Sequence, residues 1–286
     1  MIKSSIAAKS AHARKATLAR FLLIGLVAVA LALPAAAGRD DSPRSKGGRE
    51  VDLTHDMAPR GEVSLEVVSG DITVIGWDRS EMRISGWVGP GVDDIEIDKN
   101  DGDIDISVDL HSGSHRNNRA NVDLTIHVPN NADLDLECVS ARIEVDGVGG
   151  VINIENVSGR IDVGDSFREL NVESVSGKVV ARSTTAPRDV SIEAVSGTME
   201  LDLALNDRSS ITLESVSGTV TLSLDKNVSA DFDIETFSGS IRNGLGGPQA
   251  RREKFGPGQS LEFSHNGGGA SVEIDVFSGS VRLEKR

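Results

Sequence analysis

A serine stands after Val or Phe and before Gly or Ala at Ser69, Ser140, Ser158, Ser176, Ser196, Ser217, Ser238 and Ser278. A serine nucleophile needs an adjacent base. Beyond residue 37, histidine occurs only at His55, His111, His115, His127 and His265, out of register with these serines. Hydroxyls bonding from one repeat to the next are the better reading. Cys138 is the single cysteine, so no intramolecular disulfide can form. It fills a slot where other copies carry Val67, Asn156, Ser174, Ala194, Ser215, Thr236 and Val276. With no His or basic neighbour in sequence to lower its pKa, it reads as small filler rather than a reactive thiol. His111 and His115 have metal-compatible spacing with Asp109 nearby, but nothing marks a fourth ligand, and a solvated loop is the preferred reading.

The acidic column carries more information. Two positions before each Val or Phe stand Glu66, Glu137, Glu155, Glu173, Glu193, Glu214, Glu235 and Asp275. By strand alternation they point away from the aliphatic column one residue earlier, toward solvent. If successive copies stack, neighbouring carboxylates stand about 5 Å apart and repel by roughly 0.8 kcal/mol per pair even in water. Three offsets are open. Splaying and solvation could be helped by Arg142, Arg160 and Lys178 just past the motif. Ca²⁺ could bridge the carboxylates, since hard cations prefer carboxylate oxygen. A basic partner surface could dock on them. The Gly-Gly-x-Gly-x-Asp nonapeptide of calcium-binding β-rolls is absent.

These residues are positioned by a repeat. The residue after each serine is Gly70, Ala141, Gly159, Gly177, Gly197, Gly218, Gly239 or Gly279. From Ala141 the intervals are 18, 18, 20, 21, 21 and 40 residues, so the last has room for one turn lacking the motif. Leu65, Leu136, Ile154, Val172, Ile192, Leu213, Ile234 and Ile274, three positions before the Val or Phe, are all aliphatic and define a core column. Val190, Ile192 and Ala194 share one parity, whereas Val195, Gly197, Met199 and Leu201 share the other, so the chain must bend between Ala194 and Val195. Gly at this corner provides either unusual backbone geometry or room for tight stacking, and Ala141 favours the second.

Period-two alternation with a spacing near 20 residues predicts an all-β fold, a β-solenoid or stacked β-strand repeat with coils of about 18–21 residues, each of two or three short strands. Residues 51–128 alternate less regularly, with a turn at Asn100-Asp101-Gly102, and form the irregular N-terminal part of a single domain over 51–286. Residues 129–286 hold the regular repeats. The final long interval contains a Gly-rich loop, Asn243 to Gly258, with a basic knot at Arg251-Arg252-Glu253-Lys254.

The N-terminus predicts export. Lys3, Lys9, Arg14, Lys15 and Arg20 precede an apolar run from Phe21 to Leu33, then Pro34-Ala35-Ala36-Ala37, the order of a signal peptide over 1–37 cut after Ala37. The apolar run is shorter than the roughly 20 residues of a membrane-spanning helix. Residues 38–50 read as a flexible leader. The whole chain carries a net charge of −14, and cleavage would leave 25 Lys and Arg against 44 Asp and Glu, a net −19. Such a field repels nucleic acid. With Tyr absent, two Trp and seven Phe, platforms for stacking sugars or bases are scarce.

Gly70-Asp71-Ile72-Thr73-Val74-Ile75-Gly76-Trp77-Asp78, the strand end Ile126-His127-Val128-Pro129-Asn130 and the serial Val-Ser-Gly copies resemble the bacterial putative-adhesin family of β-strand-repeat proteins. That family is built around a domain of unknown function and is similar to adhesin-head-like β-solenoid domains. The resemblance spans Val51 to Arg286 and is weakest at Ser140-Ala141 and at Asn243 to Gly269. It implies an exported or envelope-associated, non-catalytic β-solenoid, and it brings no catalytic residues.

The expected function is therefore that of a non-enzymatic periplasmic or cell-surface module, an adhesin or an envelope-associated binder whose partner is a surface protein or a glycan. The acidic column is its candidate partner- or cation-binding site, and no cofactor is implied beyond a possible Ca²⁺. Two alternatives are a polysaccharide-active enzyme on a β-helix and a purely structural scaffold.

Overall fold

Alternating apolar residues dictate strands, and the parity slip in each repeat dictates where those strands bend. The computed structural model describes residues 47–110, 121–252 and 256–286. The expected signal peptide, most of the leader, the His111 to His115 loop, and Glu253 and Lys254 of the basic knot lie outside the described residues. The described fold is all-β, a β-solenoid-like open sheet of long stacked strands.

The less regular N-terminal part comprises β1 (Arg49–Asp56), β2 (Glu62–Trp77), β3 (Glu81–Val88), β4 (Val92–Asn100), β5 (Asp103–Leu110) and β6 (Asn121–Pro129). The repeats follow as β7 (Asp133–Asp146), β8 (Val151–Gly164), β9 (Glu169–Ser183), β10 (Asp189–Leu203), β11 (Ser210–Leu224) and β12 (Ala230–Asn243). After them come β13 (Arg251–Arg252), β14 (Gln259–His265) and β15 (Ala270–Lys285).

Each coil holds one long strand rather than the expected two or three short ones. The motif sits inside that strand, where the chain bends but pairing continues on both sides. In β10, Ala194 pairs with Ser215 and Ser174, and Ser196 with Ser217 and Ser176, while Val195 is passed over. Val190, Ile192 and Ala194 are buried before the bend, and Met199, Leu201 and Leu203 after it. Val195 itself is half-exposed, so it does not join the Met199 face as its parity suggested. By alternation it follows Glu193 on the outward side of the first arm. Only four to six residues link β7 through β12 to one another. At about 3.3 Å per residue such links cannot span a straight strand of this length, so the two arms lie opposite each other with the core between them.

The glycine after each serine is where neighbouring coils touch. A Cβ on Gly197 would lie 2.0 Å from the Gly177 carbonyl oxygen, and one on Gly218 would lie 2.0 Å from that of Gly197. Gly197 has φ +149°, in the region that disfavours side chains, whereas Gly218 lies outside it and still meets its neighbour's carbonyl. Close approach is thus the shared requirement. Ala141 lies at the start of the regular array, beside Gly70 of β2, and takes no positive φ.

The C-terminal order departs from the sequence order. The parallel stack runs β2-β7-β8-β9-β10-β11-β15-β12, so the last strand is inserted between β11 and β12. The long final interval therefore holds no extra coil. It holds β14, which pairs antiparallel with the first arm of β12 over Ala230–Thr236, and the short β13 beyond it. The second arm of β12 is closed by side chains, with the Ile241 N–H donating to Gln259 Oε1 at 2.8 Å. At the other end, β5 and β4 cover the first arm of β2 through a hairpin turned at Asp101-Gly102, both at positive φ. The second arm is covered by β6, β3 and β1.

The corner makes a direct test possible. Gly197→Ala is expected to cost about 3 kcal/mol or more, because backbone rather than a movable side chain blocks the new Cβ. Ala141→Gly should cost only about 0.5–1 kcal/mol through added unfolded-state entropy. Urea unfolding of the two variants measures both, and equal costs would show that close approach is not what the glycine provides.

Candidate functional site

The in-register stack turns the acidic column into a continuous row. Glu66 pairs with Glu137, Glu137 with Glu155, Glu155 with Glu173, Glu173 with Glu193, Glu193 with Glu214, Glu214 with Asp275, and Asp275 with Glu235. Glu66, Glu137, Glu155 and Glu173 are exposed, and the other four are partly exposed. Among the described residues, no basic side chain lies within ion-pair distance of Glu66, Glu137, Glu155, Glu173, Glu193 or Glu214.

The bases expected to relieve the row are engaged elsewhere. Arg160 Nη2 donates to Asp162 Oδ1 at 2.7 Å, and Lys178 Nζ lies 2.6 Å from Glu200 Oε2. Arg142 acts on Asp71, lowering a carboxyl pKa that burial and Asp123 raise. The reason is geometric. These residues lie past the corner, on the outward side of the second arm, where Arg182 and Arg286 also pair with Asp162 and Asp202.

Left to themselves, the stacked acids hold protons more tightly. Burial, then Glu193, Asp275 and Glu273, push Glu214 up to about 7. Burial, then Glu155, Glu66 and Asp135, raise Glu137, while burial, Glu173 and Asp135 raise Glu155. Among the described residues, no three His, Cys, Asp or Glu side chains converge to hold a metal ion. The row places one carboxylate per strand, whereas a Ca²⁺ site gathers six to eight oxygens.

Beside this row runs an apolar one that the sequence reading did not single out. Val68, Val139, Val157, Val175, Val195 and Val216 are half-exposed at the corner. In the last two strands the column becomes Phe277 and Phe237, which are 56% and 61% exposed. Their rings stack at 4.8 Å between centroids with planes 5° apart. The signal was present as a change from Val to Phe in one column. That the two rings are neighbours follows from the insertion of β15 beside β12.

The remaining candidates find structural roles. Ser158 Oγ donates to Ser140 Oγ at 3.4 Å and to the Val139 carbonyl at 3.5 Å, and Ser176 Oγ to the Val157 carbonyl at 3.5 Å, long contacts from coil to coil. His127 packs on Trp77 at 4.9 Å, and Arg79 lies 4.6 Å from the same ring, so both contacts engage a Trp that is itself partly buried. Cys138 is 6% exposed, and burial, reinforced by Glu137, pushes its thiol up to about 12. A depression of about 350 Å³ on the second arm is lined by Arg182, Glu200, Asp202, Thr221, Ser223 and Glu284. Its Arg182, Glu200 and Asp202 are engaged by Asp162, Lys178 and Arg286.

Two outcomes follow from these environments. Because Glu214 has a raised folded-state pKa, the folded chain binds its proton more tightly than the unfolded chain between about 4.5 and about 7. Its contribution to stability is present at low pH and lost as the pH rises through about 7, so Glu214→Gln should lose less stability than the unsubstituted chain between about pH 5 and pH 8. Thermal melts at the two pH values measure this, and equal losses would count against it. Cys138 should react with iodoacetamide only as the chain unfolds, so alkylation at the native-state rate of a free thiol would contradict its burial.

A family model, Toastrack DUF4097, matches residues 61–284. No curated protein matches the chain. Among solved structures it is similar to a putative cell adhesion protein from Clostridium sporogenes ATCC 15579, at 12% identity over 83% of this chain and 100% of that one, with TM-score 0.39. A putative adhesin from Bacteroides fragilis NCTC 9343 is 12% identical over 84% of this chain and 98% of that one, with TM-score 0.41. A putative adhesin from Parabacteroides distasonis ATCC 8503 is 9% identical over 82% and 97%, with TM-score 0.35. The family match extends over most of the chain and over every coil of the stack, and the chain belongs to the Toastrack DUF4097 family.

Proposed function

We propose that this Toastrack chain is a non-enzymatic binding module, exported to the periplasm or cell surface, that engages an envelope or surface partner through the outward side of its first arm. One observation carries the reading: six consecutive glutamates, Glu66 to Glu214, stacked in register with no basic side chain of the described residues in ion-pair range. Repulsion along such a row subtracts from stability. A fold needing only outward polar residues there would be served as well by Ser, Thr or Asn, which the neighbouring outward column carries at Ser64, Asn153, Asn171, Ser191 and Thr212, with acids there only at Asp135, Asp233 and Glu273. Asn171 Nδ2 donates to Asn153 Oδ1 at 2.9 Å in that column, so neutral pairs are compatible with the stack.

Export rests on the basic, apolar and small-residue order of the first 37 residues. Among the described residues, no helix is long and apolar enough to cross a membrane. A repeated outward face on a rigid stack suits adhesion, where many weak contacts act together. The polysaccharide-active alternative gains no support from the second-arm depression, because its Arg182, Glu200 and Asp202 are held by ion pairs with Asp162, Lys178 and Arg286 around it.

Glu193→Lys combined with Glu214→Lys is expected to leave the melting temperature unchanged or higher, since at these partly exposed positions it turns the contacts with Glu173 and Asp275 from repulsive to attractive while one like-charge contact, between the two lysines, remains. The same variant should lose most of the retention of the purified chain on cell-envelope fractions. Retention equal to that of the unsubstituted chain on every fraction would remove the acidic row from the function.

A further inference from the structure

The end of the stack gathers two kinds of surface that rarely coexist without use. Phe237 and Phe277 are large apolar side chains more than half exposed, although the same corner position is filled by Val in the six other strands. Acids lie beside them toward β11 and β10 and along the first arm, while Arg251 and Arg252 of β13 stand two strands away on the other side, across β14. Asp233 and Glu273 pair in register four residues before the rings, and Glu214 and Glu193 stand on β11 and β10 in the acidic row, one outward position nearer the corner.

We infer that this patch receives an extended, cationic polypeptide segment that carries apolar side chains on the same face as its Lys or Arg. The inference rests on the binding-module reading and names its partner chemistry. Charge complementarity selects the occupant. A second copy docked face to face would set its own acids against these, and anionic surfaces such as nucleic acid or acidic lipid would be repelled likewise. A purely apolar partner would bury the rings but leave the carboxylates facing a desolvated surface. Outward residues of a strand recur about 6.6–6.8 Å apart. An extended segment laid along the first arm therefore brings its alternate side chains over acid and phenyl in turn, and a basic residue four positions from an aromatic or aliphatic one spans Asp233 to Phe237.

The test uses the full chain and a labelled synthetic peptide with lysines and leucines on one face of an extended backbone and serines between. Fluorescence anisotropy should show binding that weakens with added salt. Phe237→Ser with Phe277→Ser should weaken it at least tenfold, while Phe237→Leu with Phe277→Leu restores most of it. Oligolysine of equal charge should bind weakly, and equally, to the unsubstituted and Phe-substituted chains. Equal peptide affinity in the serine variant would overturn the inference, as would equal binding of a peptide with glutamate in place of lysine. Concentration-dependent self-association abolished by the serine variant would assign the patch to a second copy and also overturn it. Failure of these arms while Glu193→Lys with Glu214→Lys still abolishes envelope retention would reject the cationic segment alone. Envelope retention unaffected by the lysine pair would reject the broader reading as well.

Discussion

The contact of a corner glycine with the carbonyl of the coil beside it is the constraint on which the rest of the structure depends. A carbonyl oxygen about where a Cβ would otherwise be, 2.0 Å from it at Gly159, Gly177, Gly197 and Gly218, leaves no room for a coil to slide or rotate against its neighbour. Pairing resumes in the same register on both sides of the bend only because the bend is repeated at the same point in every coil. Each strand can then keep its aliphatic residues inward on both arms.

Strict register has a cost as well as a benefit. Stacking like on like gives Ile, Val and Leu a continuous core, and it gives Asn153 and Asn171 a mutual hydrogen bond. Applied to Glu, it sets carboxylate against carboxylate with no freedom to shift out of line. Burial between the flanking strands, reinforced by Glu193 and Asp275, pushes Glu214 up to about 7, and burial reinforced by neighbouring carboxylates raises Glu137 and Glu155. The second arm faces the same geometry and solves it differently, by mixing Arg160, Lys178 and Arg182 with Asp162 and Glu200. The contrast between two arms of one strand isolates the acidic row as a property of the side chains chosen there and not of the fold.

The C-terminal strand alters the molecule's end in two ways. By entering between β11 and β12, it becomes an interior strand paired on both sides, although it is the last to emerge in the chain. It also brings Phe277 to Phe237, so that two aromatic residues separated by 40 positions in sequence become one exposed patch. The hairpin of β14 with β12 and the Gln259 side chain then shield the strand edge that remains.

Much of this was legible in the residues themselves. Alternation, the aliphatic column, the parity slip and the repeated Gly determined an all-β stacked fold, a bend after Ala194, and an outward row of acids, because side-chain direction in a strand depends only on local backbone geometry. The same locality explains the misreadings. Parity groups Val195 with Met199 and Leu201, but at the bend alternation lapses, and whether a side chain turns in or out depends on how the second arm packs. Arg142, Arg160 and Lys178 stood near the acids in sequence, yet the bend carried them to another face. The place of β15, and with it the union of Phe237 and Phe277, depended on long-range pairing. A strand carrying the Phe-Ser-Gly-Ser motif fits beside either β11 or β12 equally well by pattern, and only the closing of β14 onto the far edge of β12 leaves the inner slot for it.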